Sequence, residues 1–243
     1  MGKIDQQGYH TPQIESRWAE GVDFIISKIK ERPEAQLKIL DVGCGDGGFF
    51  RYFLSRAKHE GLDTKIFELH GVDMKGSYKG SVESLGVTFH ELDFSEIDGR
   101  LPNASFDFII SAEVIEHVLD TDSHVLMLKK MVTNDGYIYL TTPNMSSWHS
   151  RLFLLFGFQP MATEVSLQNS TFGKLLFGKR VKDTYTLHHI RVFTLRALVD
   201  FVEFHGFTVV KKFGGGYRFY DNILFRGPFV GLGPICKLIL KKN

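Results

Sequence analysis

The sequence predicts an α/β fold with a doubly wound, largely parallel sheet, on three observations. Apolar runs of strand length alternate with amphipathic runs of helix length. A glycine-rich turn follows the first strand, and acidic residues recur where successive strands end. With 243 residues and 43% hydrophobic content the chain can bury a full core, so one domain over residues 1–243 is expected.

Taken in order, a leading amphipathic helix is expected over Ile14–Lys30. Strands follow at Leu37–Val42, Ile66–Val72, Val87–Leu92, Phe106–Ser111 and Tyr137–Thr141, with helices between most of them. From Pro143 the strand rhythm stops, and residues 144–188 read as an insertion that forms a lid over the mouth of the sheet. Its run Trp148–Phe158 is apolar on most sides of a helix, which suits a lid, a core helix or a homodimer contact. A helix over Thr194–Phe207 has Thr194 as its cap and Gly206 as its stop. The runs Thr208–Phe213 and Tyr217–Phe225 flank Gly214, Gly215 and Gly216, and an antiparallel hairpin is expected there. Residues 226–243, "RGPFVGLGPICKLILKKN", read as an apolar and basic tail, too interrupted by Pro228, Pro234 and Lys237 to span a bilayer. Such a tail either packs back on the domain or a partner subunit, or rests on a membrane surface through Lys237, Lys241 and Lys242.

The charge balance limits the partners. With 29 basic against 28 acidic residues there is no global field to concentrate a polyanion, so a nucleic acid is not the expected partner. Cys44 and Cys236 make neither a disulfide framework nor a zinc set, which fits a reducing, cytoplasmic setting. The start "MGKIDQQGYHTPQ" has no apolar signal-like run, and Gln6 stands where a myristoylation signal has Ser or Thr.

The stretch "KILDVGCGDGGFF", Lys38–Phe50, satisfies two cofactor fingerprints. Gly43, Gly45 and Gly48 fit G-x-G-x-x-G, which would cradle a pyrophosphate at a helix N-terminus. Asp41, Gly43, Gly45 and Gly47 fit D-x-G-x-G-x-G, which adds an acid at the strand end. A carboxylate there suits a ligand with an ammonium group and repels a pyrophosphate. Downstream residues favour the second pattern. Asp73 ends the second strand, where it can accept two ribose hydroxyls, and Asp93 follows the third, where it can accept an adenine amino group beside Phe94. A single strand-end Asp is usually a turn or cap residue, but three at successive strand ends converge on one ligand.

These motifs resemble those of the class I S-adenosylmethionine-dependent methyltransferases over Leu37–Phe225: "ILDVGCGDGGF", "GVD", "LDF" and "FDFIISAEVIEHV". The resemblance implies a seven-stranded Rossmann-like sheet with an antiparallel C-terminal hairpin and S-adenosylmethionine as cofactor. The cofactor contacts it implies are Asp41, Gly43, Cys44, Gly45, Gly47, Asp73, Met74, Asp93, Phe94, Ala112 and Glu113.

The run Glu113-x-x-Glu116-His117, with His189 in "LHHIRVFT", gives candidate catalytic residues in His117, Glu113 and His189. Two carboxylates and an imidazole on a loop entering a helix suit a divalent metal, with Glu113, Glu116 and His117 as its ligands and the distant His189 as a fourth candidate. Such a run resembles that of the ubiquinone-biosynthesis O-methyltransferases, which implies magnesium or zinc, and that of small-RNA 2'-O-methyltransferases, where a later histidine would match His189. Without a metal, His117 would be a general base, or Glu116 would cap a helix while His117 packs under the cofactor. The expected activity is O-methylation of a small, partly apolar acceptor. The rivals are RNA 2'-O-methylation, an NAD-dependent oxidoreductase and a cofactor-binding scaffold without catalysis.

Overall fold

The computed structural model describes residues 17–32, 35–93, 99–176, 179–180, 188–216 and 221–243, with backbone only at 175–176, 179–180 and 222. A seven-stranded sheet forms its centre, in the order β3-β2-β1-β4-β5-β9-β8. β1 (Leu37–Val42), β2 (Phe67–Asp73), β3 (Thr88–Glu91), β4 (Phe106–Ala112) and β5 (Val132–Pro143) run parallel, whereas β9 (Ile235–Lys242) runs antiparallel to both β5 and β8 (Phe207–Gly215). Each expected parallel strand is present, and β5 is longer than expected at both ends.

Helices cover both faces, which is why the central strands are apolar at nearly every position rather than at alternate ones. On one face α1 (Ala19–Glu31), α2 (Gly48–His59) and α3 (Lys79–Glu83) bury Val22, Ile25, Phe49, Phe53 and Val82 with Ile39, Ile110 and Ile239 of the sheet. On the other, α4 (Thr121–Met131) and α6 (Leu195–Phe204) bury Val125, Leu128, Leu198 and Val202 with Leu40, Ile109, Leu140 and Leu238. The caps of α6 are as expected. Thr194 Oγ1 accepts from Ala197 N at 3.2 Å, and Gly206, at φ +77°, ends the turn. The leading helix begins later than expected, at Ala19, and Ile14 lies outside the described residues.

Two expectations need correction. The partner of β8 is not Tyr217–Phe225: Asp221–Leu224 is a short helix, α7, and 217–220 lie outside the described residues. The partner is Ile235–Lys242, expected as a tail. Its six residues from Ile235 to Leu240 are all buried, because β9 is wedged between β5 and β8 and covered on both faces. Pro234 precedes the strand rather than interrupting it. Lys237 is fully buried and ion-paired with Glu20 of α1 at 2.8 Å, so it cannot meet lipid headgroups.

The insertion contains α5 (Trp148–Leu155) and a minimal hairpin, β6 (Leu175–Leu176) with β7 (Lys179–Arg180); residues 177–178 and 181–187 lie outside the described residues. It leaves and rejoins the sheet at adjoining points: Asn144 and Phe193 form a parallel bridge, and Met145 N donates to Phe193 O at 2.8 Å.

Candidate active site

β1 ends in a turn that folds back over β2. The amides of Gly43 and Cys44 both donate to Val72 O, at 2.8 and 3.0 Å, and Gly43, Gly45 and Gly47 have φ of +77°, +52° and +89°. Only glycine enters that region without strain. The glycines then divide by task. A Cβ on Gly48 would lie 2.7 Å from Trp18 Cη2, and one on Gly47 3.0 Å from Leu85 Cδ1, so both serve close packing. A Cβ on Gly45 would meet nothing within 4 Å, so this backbone faces open space at the carboxyl end of the sheet. Cys44 turns its thiol inward against Gly71 and Phe50, and burial pushes the thiol pKa up, leaving only its backbone on the ligand side.

Asp41 and Asp73 flank this space. Asp41 is buried, and burial holds its carboxyl well above the usual range, with Arg17 opposing and Asp73 reinforcing the shift. Asp73 pins the loop: Oδ2 accepts from Gly45 N at 2.9 Å and Oδ1 from Lys75 N at 3.0 Å. Each oxygen keeps a second lone pair for a ligand. Met74 is half-exposed beyond β2, Asp93 is exposed after β3, and Ala112 ends β4 partly buried. Phe94 lies outside the described residues.

The Glu-x-x-Glu-His run begins where β4 stops. Glu113 has φ +60°, a conformation costing a residue with a side chain about 1 kcal/mol or more. Thr141 holds it there, its backbone O accepting from Glu113 N at 3.1 Å and its Oγ1 donating to Glu113 Oε1 at 3.0 Å. Glu116 is 1% exposed. Its Oε2 accepts from Thr142 Oγ1 at 2.9 Å, and its backbone O accepts from Ile190 N and Arg191 N at 2.7 and 3.1 Å. These backbone bonds strap residues 188–191 against the turn Ile115–His117 and deliver His189 to the site.

The two imidazoles then face one oxygen. His117 Nδ1 lies 3.3 Å from His188 O, and His189 Nδ1 2.8 Å from Ala162 O. A ring nitrogen facing a carbonyl carries the proton, so each Nε2 presents a lone pair. Both Nε2 atoms lie 4.0 Å from Glu116 Oε1, a buried oxygen with no hydrogen-bond partner, and the rings meet edge to face at 4.9 Å. Burial, with Glu113 adding repulsion, pushes the Glu116 carboxyl well up; burial and His189 hold His117 below its ordinary range.

The structure thus assembles Glu116, His117 and His189, whose ligand atoms all lie within 4.8 Å of one another. Glu113, expected as a fourth member, is not among them because Thr141 turns it elsewhere. His188, at φ +57°, contributes its backbone. Sequence reasoning missed Thr141, Thr142 and Arg17. Arg17 lies against the Trp18 ring at 4.3 Å and pulls the pKa of both Asp41 and Glu116 down against the larger upward push of burial, so its charge acts across the ends of β1 and β4. No local pattern marks these residues; only the fold brings them to the site.

Residues 10–212 match the family described as a methyltransferase domain. The chain belongs to this family, as a class I S-adenosylmethionine-dependent methyltransferase. The methyltransferase is 30% identical over 131 residues to the ubiquinone biosynthesis O-methyltransferase of Paraburkholderia phymatum, covering 51% of this chain and 52% of that one. It is 25% identical over 188 residues to that of Rickettsia typhi, covering 73% and 70%. With the mitochondrial one of Bos taurus the values are 26% over 177 residues, covering 64% and 44%. The chain spans about half the length of most of these curated relatives. Among solved structures, a SAM-dependent methyltransferase from Archaeoglobus fulgidus (TM-score 0.54, 17% identity, covering 94% and 98%) shares the fold. So does an S-adenosylmethionine-dependent methyltransferase from Mesorhizobium loti (TM-score 0.57, 14% identity, covering 95% and 100%). The family overturns the nicotinamide reading of the glycine fingerprint. No described helix of the methyltransferase is long and apolar enough to cross a membrane.

Proposed function

We propose that this methyltransferase transfers the methyl group of S-adenosylmethionine to a hydroxyl oxygen of a small, partly apolar acceptor. The observation that carries the reading is the convergence of two imidazoles on the unpartnered Oε1 of Glu116, in the turn after β4, at the same end of the sheet as the glycine turn after its neighbour β1. The relatives named as O-methyltransferases support the same choice.

In this reading Asp41 faces the ammonium of the cofactor's methionine and Arg17 its carboxylate, Asp73 accepts the ribose hydroxyls, and Asp93 the adenine amino group. When bound, S-adenosylmethionine would supply a methyl group made electrophilic by its sulfonium, and His117 Nε2 would take the hydroxyl proton of an acceptor held in line with that methyl. His117 is the more exposed imidazole, at 39% against 7% for His189, which suits it to the proton and His189 to a fixed position. Alignment and an apolar enclosure supply the rest of the acceleration.

The same three atoms fit a divalent metal, because two imidazole nitrogens and a carboxylate oxygen without a hydrogen-bond donor are what such an ion takes as ligands. A bound magnesium or zinc would lower the pKa of an acceptor hydroxyl. The near-neutral charge disfavours a large RNA acceptor.

The test uses S-adenosylmethionine labelled in its methyl group with a panel of small hydroxylated acceptors and their amine and carbon-acid analogues. Label in a new O-methyl group is expected. Label on nitrogen or carbon alone, or no turnover while S-adenosylhomocysteine binds, would overturn the reading, the second outcome leaving a cofactor-binding scaffold.

A further inference from the structure

Residues 17–21, where α1 begins, are held from three separate elements. Trp18 is buried beside Phe49 of α2 and lies so close to the glycine turn that a Cβ on Gly48 would stand 2.7 Å from its Cη2. Tyr139 of β5 lies directly under the helix, since a Cβ on Gly21 would come within 2.5 Å of its ring, and its hydroxyl donates to Arg17 O at 2.7 Å. From β9, the Lys237 ammonium reaches Glu20 Oε2 at 2.8 Å.

The third contact is the unusual one. Lys237 is 0% exposed; burial pulls its pKa down, while Glu20, Glu113 and Asp221 push it back up. Apolar residues of similar volume commonly replace a buried ion pair at no cost in stability, so tight packing alone does not call for this one. What the pair adds is direction, because it is satisfied only when α1 lies on the sheet in one register.

The residue fixed by that register is Arg17. Its guanidinium lies over the Trp18 ring, its Nε is buried with no hydrogen-bond partner, and its charge acts on Asp41 at the end of β1 and on Glu116 beyond β4. An unmet cationic donor beside a buried carboxylate suits a ligand that carries an anionic and a cationic group together, as an amino acid does.

We propose that Lys237 and Tyr139 are positioning residues for the methyl donor: by holding Glu20 and Arg17 O, they fix the Arg17 guanidinium where the methionine carboxylate of S-adenosylmethionine binds. This rests on the reading of Arg17 as the partner of that carboxylate, and it gives β9 a part in donor binding.

The experiment is titration calorimetry of the full chain with S-adenosylhomocysteine and with methylthioadenosine, which shares the adenine, ribose and thioether but lacks the amino-acid end. Arg17→Ala is expected to weaken S-adenosylhomocysteine about tenfold or more and to leave methylthioadenosine at the parent affinity. Two further variants should show the same selectivity, each with a loss of at least about threefold. One is Tyr139→Phe, which removes only the hydroxyl; the other combines Glu20→Ala with Lys237→Met, so that neither charge is left alone. Neither should add a further loss in the Arg17→Ala background. Because Tyr139→Phe keeps the ring under Gly21, it remains a test should the double exchange not fold. Parent affinity for S-adenosylhomocysteine in these variants, an equal loss for both ligands, or a loss that adds to that of Arg17→Ala would overturn the proposal. If Arg17→Ala itself binds both ligands as the parent does, the carboxylate reading of Arg17 fails and the proposal with it. A selective loss in Arg17→Ala with none in the other variants overturns the positioning role alone.

Discussion

Thr141 and Thr142, adjacent on β5, hold two different carboxylates: Thr141 Oγ1 donates to Glu113 Oε1 and Thr142 Oγ1 to Glu116 Oε2. Successive strand side chains point to opposite faces. Thr141 stands opposite Lys237 and Thr142 opposite Cys236, so the threonines draw the two acids to different sides of the sheet end. This separates Glu116, the partner of the histidines, from Glu113, the residue in left-handed backbone at the end of β4.

Thr142→Val should therefore impair catalysis without touching cofactor binding. Turnover, and metal affinity if a metal is used, should fall about 10- to 100-fold, the usual cost of losing a partner that orients a ligand. Calorimetry with S-adenosylhomocysteine should give the parent affinity, and Thr142→Ser should restore turnover. A variant with parent turnover would remove Thr142 from the positioning of Glu116.

At the cofactor end, Asp73→Ala should weaken S-adenosylhomocysteine binding by about 1–3 kcal/mol, the scale of hydrogen bonds to a charged acceptor. Part of this loss comes from the loop, because Asp73 also holds Gly45 N. Gly45→Val should weaken binding further, placing a branched side chain in open space at a left-handed position while leaving the packing of Gly47 and Gly48 alone. Parent affinity in a folded Gly45→Val variant would mean that this space is not the cofactor's.

His117→Ala is expected to cut turnover by about two to four orders of magnitude with cofactor affinity retained. Chelator then separates the two roles. A metal ligand should be joined by Glu116→Gln and His189→Ala, and activity lost to chelator should return with magnesium, manganese or zinc. A base should be indifferent to chelator. Full turnover in His117→Ala would leave catalysis to alignment alone.

His124 gives stability one pH-dependent component. It is buried beside Ser111 Oγ, at 3.1 Å from its Nε2, and burial lowers its pKa from 6.5 to about 4. The unfolded chain binds this proton more readily than the native one, so the contribution of His124 is fully present above pH 6.5 and is lost as the pH falls toward 4. The decline from this residue should be about 3 kcal/mol. Denaturant titrations between those pH values should show it, and His124→Phe should flatten it. An unchanged slope in the variant would assign the acid sensitivity to other groups.

The parallel half of the molecule was legible because local rules and the fold agree there: apolar runs at Leu37–Val42 and Phe106–Ala112, left-handed glycines after β1, and a Thr194 cap with a Gly206 stop on α6. The last strand was not. Pro234 and Lys237 look like interruptions until it is known that Glu20, over two hundred residues earlier, neutralises the lysine inside the sheet. The Glu116 cluster was half legible. Spacing nominated Glu116, His117 and His189, but period-two alternation on a different strand excluded Glu113, and nothing local to residues 113–117 encodes Thr141 and Thr142.

The bridge between Asn144 and Phe193 has an evolutionary consequence. Because the intervening segment begins and ends at one point, the rest of the sheet is indifferent to its length, each doubling of a flexible loop costing only about 0.6 kcal/mol in closure. The segment is a cassette. A lineage can replace it and redirect the enzyme to a new acceptor or a new surface, while the half that binds the donor is inherited unchanged.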